Sequence, residues 1–178
     1  MSLSEQHLEH QLLALRQHFD HAFTLPFAEQ GAPQVKVLGV GIRGRSFSIA
    51  LLQLGGVHRR PKITAVPSLV PEMLGVAGIR GVLVPVYDLG ALIGLPPRSD
   101  SSWIALAQDK SVGLAFDEFL GHSTMDSRIY EQATPDATGL TRIPELEVGS
   151  RPIVNVPALI DLIVRRAERS VATKDRPE

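Results

Sequence analysis

The residues of this chain that could do chemistry fall into a few groups. Gly39-Val40-Gly41-Ile42-Arg43-Gly44 has the spacing G-x-G-x-x-G. In a dinucleotide fold that loop opens a helix whose N-terminal amides hold a pyrophosphate. Here Arg45-Ser46-Phe47-Ser48-Ile49 follows and alternates like a strand, so the last glycine fits a hairpin turn better. His7, His10, His18 and His21 crowd the first segment, and pairs at i,i+3 can share a metal. The remaining ligands have no second cluster to come from, since His58 and His122 are isolated, so a solvated helix face is the expectation. Asp88 and Asp117-Glu118 adjoin apolar strands. Adjacent carboxylates on a strand point to opposite faces and cannot by themselves flank a glycosidic bond. Turn or hydrogen-bonding roles fit them better. His122-Ser123 are neighbours in sequence, which does not make a dyad, and no G-x-S-x-G elbow or P-loop is present. No catalytic residue, metal or cofactor is expected.

Arg80 stands apart. It is the charged residue of a run, Gly75 to Tyr87, that is otherwise nearly uncharged and should form buried strands. Gly78 and Gly81 allow a tight turn around it. An ordinary hairpin arginine is one reading. The other is a guanidinium presented beside apolar residues to a protein partner, a common interface anchor.

Composition narrows the classes. The 178 residues are 44% hydrophobic and 21% charged, enough for one globular unit or two small lobes. The net charge of −1 lacks the basic surplus that a dedicated nucleic-acid binder needs. With no cysteine there can be no disulfide, thiolate metal site or cysteine nucleophile. The first residues show no secretory signal, and no apolar run is long enough to span a bilayer. A cytoplasmic protein without membrane insertion is the expectation.

The elements that must position these residues are mainly strands. Ser4 to Phe23 predicts an amphipathic helix, with Leu8, Leu12, Leu15, Phe19 and Ala22 at helical spacing, followed by a linker to about residue 30. From Val35 the period changes to two: one strand, a turn at Arg43-Gly44-Arg45, and a strand through Phe47, Ile49 and Leu51 form a hairpin. A short strand from Val57 to Arg60, a strand–turn run from Gly75 to Gly81, a strand from Val82 to Tyr87 and a short helical or irregular turn from Leu89 to Leu95 follow. Trp103 to Ala107 and Val112 to Phe116 predict a second hairpin, Gly121 to Gly139 a loop, Ile153 to Val156 a strand and 158–170 a terminal helix.

The halves echo each other. Shifting Val82–Ile93 by 70 residues sets it on Pro152–Ile163, matching Leu83 with Ile153, Val84 with Val154, Val86 with Val156, Leu89 with Leu159, Leu92 with Leu162 and Ile93 with Ile163. Each half also holds a hairpin upstream. Two related β-rich lobes, or simply two strand–helix segments of similar apolar pattern, would both produce this.

Gly75-Val76-Ala77-Gly78-Ile79-Arg80-Gly81-Val82-Leu83-Val84-Pro85-Val86-Tyr87-Asp88-Leu89 resembles the signature of CheW-like domains, the coupling proteins of bacterial chemotaxis. Other matches fall in the family's order: Phe47 to Leu51 with Leu54 and Val57, Ile63 to Pro67, Val112 to Asp117, and Ile153 to Val156 before Leu159 and Leu162. The resemblance covers roughly Val35 to Val164. It implies two SH3-like five-stranded β-barrel lobes with pseudo-twofold symmetry, nominally 33–100 and 101–157, in a single domain over 33–170 flanked by the N-terminal and C-terminal helices. It also implies a non-enzymatic adaptor between chemoreceptor cytoplasmic tips and the regulatory domain of a CheA-type histidine kinase. Residue by residue, Leu54, Val57, Ile79, Arg80 and Gly81 fall where the family meets its partners. Gly78 stands where the family often has asparagine. Gly56 stands where an acidic residue commonly pairs with the turn arginine. A ligand-binding two-barrel protein, or an adaptor of a non-flagellar pathway, is the alternative.

Overall fold

A computed structural model describes residues 33–59, 62–109, 112–132, 139–141 and 151–174. The chain divides into two units, Met1–Pro33 and Gln34–Glu178. The described elements belong to the second, and the expected N-terminal helix with its histidines lies outside the described residues.

Eleven strands and three helices are described. β1 (Gln34–Ile42) and β2 (Arg45–Ala50) form the first hairpin, with Val37 opposite Ala50 and Ile42 opposite Arg45. A short 3-10 turn (Leu51–Gln53) leads to β3 (Leu54–Arg59), then β4 (Ile63–Thr64), β5 (Met73–Ile79) and β6 (Val82–Asp88). Helix α1 (Leu89–Leu92) precedes the second hairpin, β7 (Trp103–Ala107) and β8 (Gly113–Phe116). β9 (Glu118–Asp126), α2 (Ser127–Gln132), β10 (Leu140–Thr141), β11 (Ile153–Val154) and α3 (Val156–Lys174) complete the chain.

The strands form two sheets. One has the order β10-β11-β2-β1-β9 and the other β3-β7-β8-β6-β5-β4. The boundary expected near residue 100 is therefore not a boundary between sheets. The second sheet takes residues 54–116, and the first takes the segments on either side. The chain crosses over twice, after β2 and after β8, because each hairpin pairs with strands of the other half.

The topology carries the 70-residue echo. In the first sheet the β1–β2 hairpin is flanked by β9 on one side and by β11, parallel to β2, on the other. In the second the β7–β8 hairpin is flanked by β3 and by β6, parallel to β8. β6 and β11 each run straight into a helix, as the matched apolar patterns predict. At that second junction Asn155 caps α3, its side chain accepting from Ala158 N at 3.0 Å, so the helix begins two residues before the expected Ala158.

The described strands bury two cores. The larger lies between the sheets and includes Val40, Ile42, Phe47 and Ile49 with Leu89, Leu114, Phe116, Leu159 and Ile163. The smaller is made of second-sheet residues alone: Ala77, Ile79, Val84, Val86, Ile104, Leu106 and Ala115. Alternate residues of β7 and β8 supply the two cores from opposite faces. Among the described residues this face packs on residues of its own sheet, as a curled sheet allows. Connectivity demands that curl. The ends of the strand order, β3 and β4, are joined by residues 60–62, which span at most about 14 Å. Six flat strands would be about 24 Å wide. Hydrogen-bonded closure into a barrel is not seen among the described residues.

Of the stretch expected as a loop, Gly121 to Gly139, the first part continues β9 to Asp126 and then forms α2, while residues 133–138 lie outside the described residues. β9 is an edge strand with mostly exposed residues, Glu118, His122, Ser123 and Thr124 among them. An edge strand with little to bury loses the apolar alternation that marks a strand in sequence.

Candidate protein-binding site

Two hairpins close on the same dipeptide. Arg43-Gly44 joins β1 to β2 and Arg80-Gly81 joins β5 to β6. In both, arginine and glycine have positive φ, +53° and +73° at the first, +50° and +82° at the second. This is the two-residue turn whose twist suits a hairpin. An arginine there is unusual, because its Cβ crowds the backbone in the left-handed region.

Arg43 is tied down completely. Its amide donates to Asp117 Oδ2 at 2.7 Å, and Nη1 reaches both oxygens of that carboxylate, at 2.9 and 3.1 Å. Nη2 donates to Asp88 Oδ2 at 2.6 Å and Nε to the Pro96 carbonyl at 3.0 Å. Asp88, 1% exposed, also accepts from Gly90 N at 2.9 Å and Arg98 N at 2.7 Å. Gly90 makes the room: a Cβ there would lie 3.1 Å from the guanidinium carbon of Arg43. Because Arg43 belongs to the first sheet and Asp88 ends a strand of the second, the cluster latches the sheets together. Asp88 and Asp117 thus hold hydrogen-bonding roles, as expected. The sequence reading saw Arg43 only as a turn residue. Two aspartates, each at the end of an apolar strand, were the available signal that a cation had to be found for them.

The first two glycines of the G-x-G-x-x-G run serve packing, and the third, Gly44, serves the turn. Gly39 and Gly41 lie within β1, not at the head of a helix. A Cβ on Gly39 would meet Leu120 Cβ at 3.2 Å, and one on Gly41 would meet Glu118 Cβ at 3.0 Å.

Arg80 is the opposite case. It is exposed, and among the described residues no hydrogen bond or ion pair engages its side chain. Val82 and Leu83 beside it are 52% and 75% exposed. Leu83 pairs across the hairpin with Gly78, which offers no side chain to cover it. In the echo Leu83 matches Ile153, which is 2% exposed, so the hairpin tip shows solvent an apolar residue that its counterpart buries.

The five residues expected at the site do not all reach the surface. Arg80 and Gly81 are exposed at the tip. Ile79 is a core residue of the second sheet, 5% exposed, and Leu54 is 9% exposed in the larger core. Alternation along the strands turns both side chains inward, so neither offers its side chain to a partner in this conformation. Val57 is half-buried against the larger core. Sequence reading missed a second apolar patch. Phe119 and Leu120 at the start of β9 are 44% and 38% exposed. The Trp103 ring lies 5.4 Å from that of Phe119, with the Arg59 guanidinium 5.7 Å from the Trp103 ring.

With the fold and these surfaces described, comparison with known proteins gives a consistent answer. The model of the CheW-like domain family matches residues 36–164. The chain belongs to the CheW-like domain family. It is 27% identical over 135 residues to Protein PilI of Pseudomonas aeruginosa, covering 74% of this chain and 71% of that one. It is 31% identical over 87 residues to the chemotaxis protein CheW of Bacillus subtilis, covering 47% of this chain and 56% of that one. In fold it is similar to the scaffolding protein TtCheW of Thermoanaerobacter tengcongensis, with a TM-score of 0.52 at 17% identity over 68% of this chain and 88% of that one.

Proposed function

We propose that this chain is a non-enzymatic cytoplasmic adaptor that couples chemoreceptor tips to a CheA-type histidine kinase. The observation that carries the reading is the family match across nearly every described strand, with an exposed Arg-Gly hairpin tip inside it. The curled second sheet with its own core, and the echoed topology of the first, support two SH3-like lobes in one domain over 33–170. Among the described residues no helix is long and apolar enough to cross a membrane, which suits a partner that reaches membrane receptors only through their cytoplasmic tips. Arg80 and Gly81 form the receptor-facing element, with Val57 contributing through its exposed part. Such interfaces are individually weak, and arrays supply avidity.

Pull-down with the kinase regulatory domain and a receptor signalling fragment from the same organism tests this. Retention of both at tens of micromolar protein is expected. Retention of neither would remove the reading. A non-flagellar pathway is the second reading, favoured by the similarity to PilI, which spans more of the chain than the match to the Bacillus CheW. A binding partner drawn from a non-flagellar system, retained in preference to a flagellar one, would decide for it.

A further inference from the structure

Two cations reach the base of the β5–β6 hairpin from elements of the other sheet. Arg43, in the β1–β2 turn, holds Asp88 at the end of β6. Arg166, on α3, holds Glu72, the residue before β5. Glu72 and Asp88 are themselves joined, since the Asp88 amide donates to the Glu72 carbonyl at 2.8 Å. The two contacts differ in how fully they are satisfied. Asp88 accepts through both oxygens, from Arg43, Gly90 N and Arg98 N. Glu72 gives Oε1 to Arg166, while its Oε2 is buried with no hydrogen-bond partner among the described residues. A buried oxygen left unpaired has lost its hydration and gained nothing in exchange. In such a half-satisfied pair the desolvation offsets most of the attraction, so open and closed states lie close in free energy. We propose that Glu72–Arg166 is a releasable clamp, through which α3 straps the hairpin base to the first sheet and from which it opens without unfolding the core.

The helix divides in a way that suits this. Its first half is fixed: Asn155 caps it, Val156 N donates to Gln53 Oε1 at 3.0 Å, and Leu159 and Ile163 are core residues. Its second half gives the core less. Val164, Arg165, Glu168 and Arg169 are exposed, and Ala167 is only partly buried. Segments with few buried apolar contacts open locally, below the free energy of global unfolding. Opening there would return Glu72 to water and loosen the base of a hairpin whose other end is the exposed Arg80 tip. The fully satisfied Arg43 latch would stay closed and keep the sheets together.

Native-state hydrogen exchange on the full chain, followed amide by amide, tests this. The Asp88 amide reports the clamp, because its acceptor is the Glu72 carbonyl. The Arg43 amide, which donates to Asp117 Oδ2, reports the latch. In the wild type, Asp88 and Arg165 to Arg169 should exchange at least about tenfold faster than Leu159 and Ile163. Arg166→Ala should speed the first group about tenfold further and leave Arg43, Leu159 and Ile163 unchanged. Arg166→Lys, which keeps the charge, should restore most of the protection. Glu72→Met with Arg166→Leu replaces the pair by apolar side chains and leaves no oxygen buried and unpaired. That double variant should protect Asp88 at least as well as the wild type. If Arg166→Ala speeds every amide alike, the pair belongs to the global fold and there is no clamp. If it changes none, Arg166 does not hold the hairpin. If the double variant loses protection at Asp88 as Arg166→Ala does, the pair is firmly favourable and the releasable clamp is wrong. The test uses no partner, so its outcome is separate from that of the adaptor reading.

Discussion

The two Arg-Gly hairpin turns share a backbone and differ in what surrounds them. Arg43 is folded back between two sheets onto Asp88 and Asp117, while Arg80 stands at an exposed tip beside Leu83. One dipeptide has thus been put to two uses, a latch inside the molecule and an anchor offered outside it. The difference is not local. The turns share the run Gly-Ile-Arg-Gly and diverge just after it, and the carboxylates that hold Arg43 lie 45 and 74 residues further on.

Substitution at the latch should have the largest effect. Arg43→Ala would leave Asp88 buried with only backbone donors, and breaking a buried ion pair by removing one partner costs about 3–5 kcal/mol. Denaturant unfolding should show that loss for Arg43→Ala. Arg80→Ala should shift stability by less than about 0.5 kcal/mol, the usual range for a surface substitution. Equal losses at both turns would erase the distinction.

The echo supplies the next comparison. Ile153→Ala should cost about 2–5 kcal/mol, as truncation of a buried aliphatic side chain does. Its counterpart Leu83→Ala should cost under about 0.5 kcal/mol. Thermal unfolding of the two variants side by side would show whether Leu83 is free of the fold as its 75% exposure implies.

A smaller effect should appear within the tip itself. Gly81 has φ +82°, so Gly81→Ala should cost about 1 kcal/mol. Gly78 has open space where a Cβ would go, and Gly78→Ala should leave stability nearly unchanged. The added methyl would stand opposite Leu83, and a receptor titration would sense it if that face is used.

The smallest effect concerns the exposed pair Arg98 and Asp100. The hydrogen bond from Arg98, with its charge, holds the Asp100 carboxyl below its ordinary value. A carboxyl lowered in the folded state contributes stability above its unfolded pKa, and that contribution is lost as pH falls through the folded value. The pair is solvent-exposed, so salt screens it. Arg98→Ala should move the Asp100 titration, followed by NMR, upward toward that of a free aspartate.

The sequence carried the hairpins, the strand–helix echo and the exposed arginine because each is local. Alternation marks a half-buried strand, Arg-Gly between apolar runs marks a turn, and a lone charge in an apolar run marks itself. The Arg43 latch was illegible because its partners come from β6 and from the residue after β8, brought together only by the crossovers between sheets. β9 was missed because an edge strand exposes polar residues on both faces. Leu54 and Ile79, carried over from the family pattern as contact residues, turned out to be core. Position in a motif says which strand a residue is on, and the pleat decides which way it points.

The most direct test of the account is a receptor-tip titration of wild type and Arg80→Gly, a variant that suits the positive φ of the turn and should be no less stable than the wild type. The account predicts binding by the wild type and its loss in Arg80→Gly. Equal binding by the two would contradict it, leaving Arg80 as a turn residue and moving the search for the interface to Phe119, Leu120 and Trp103.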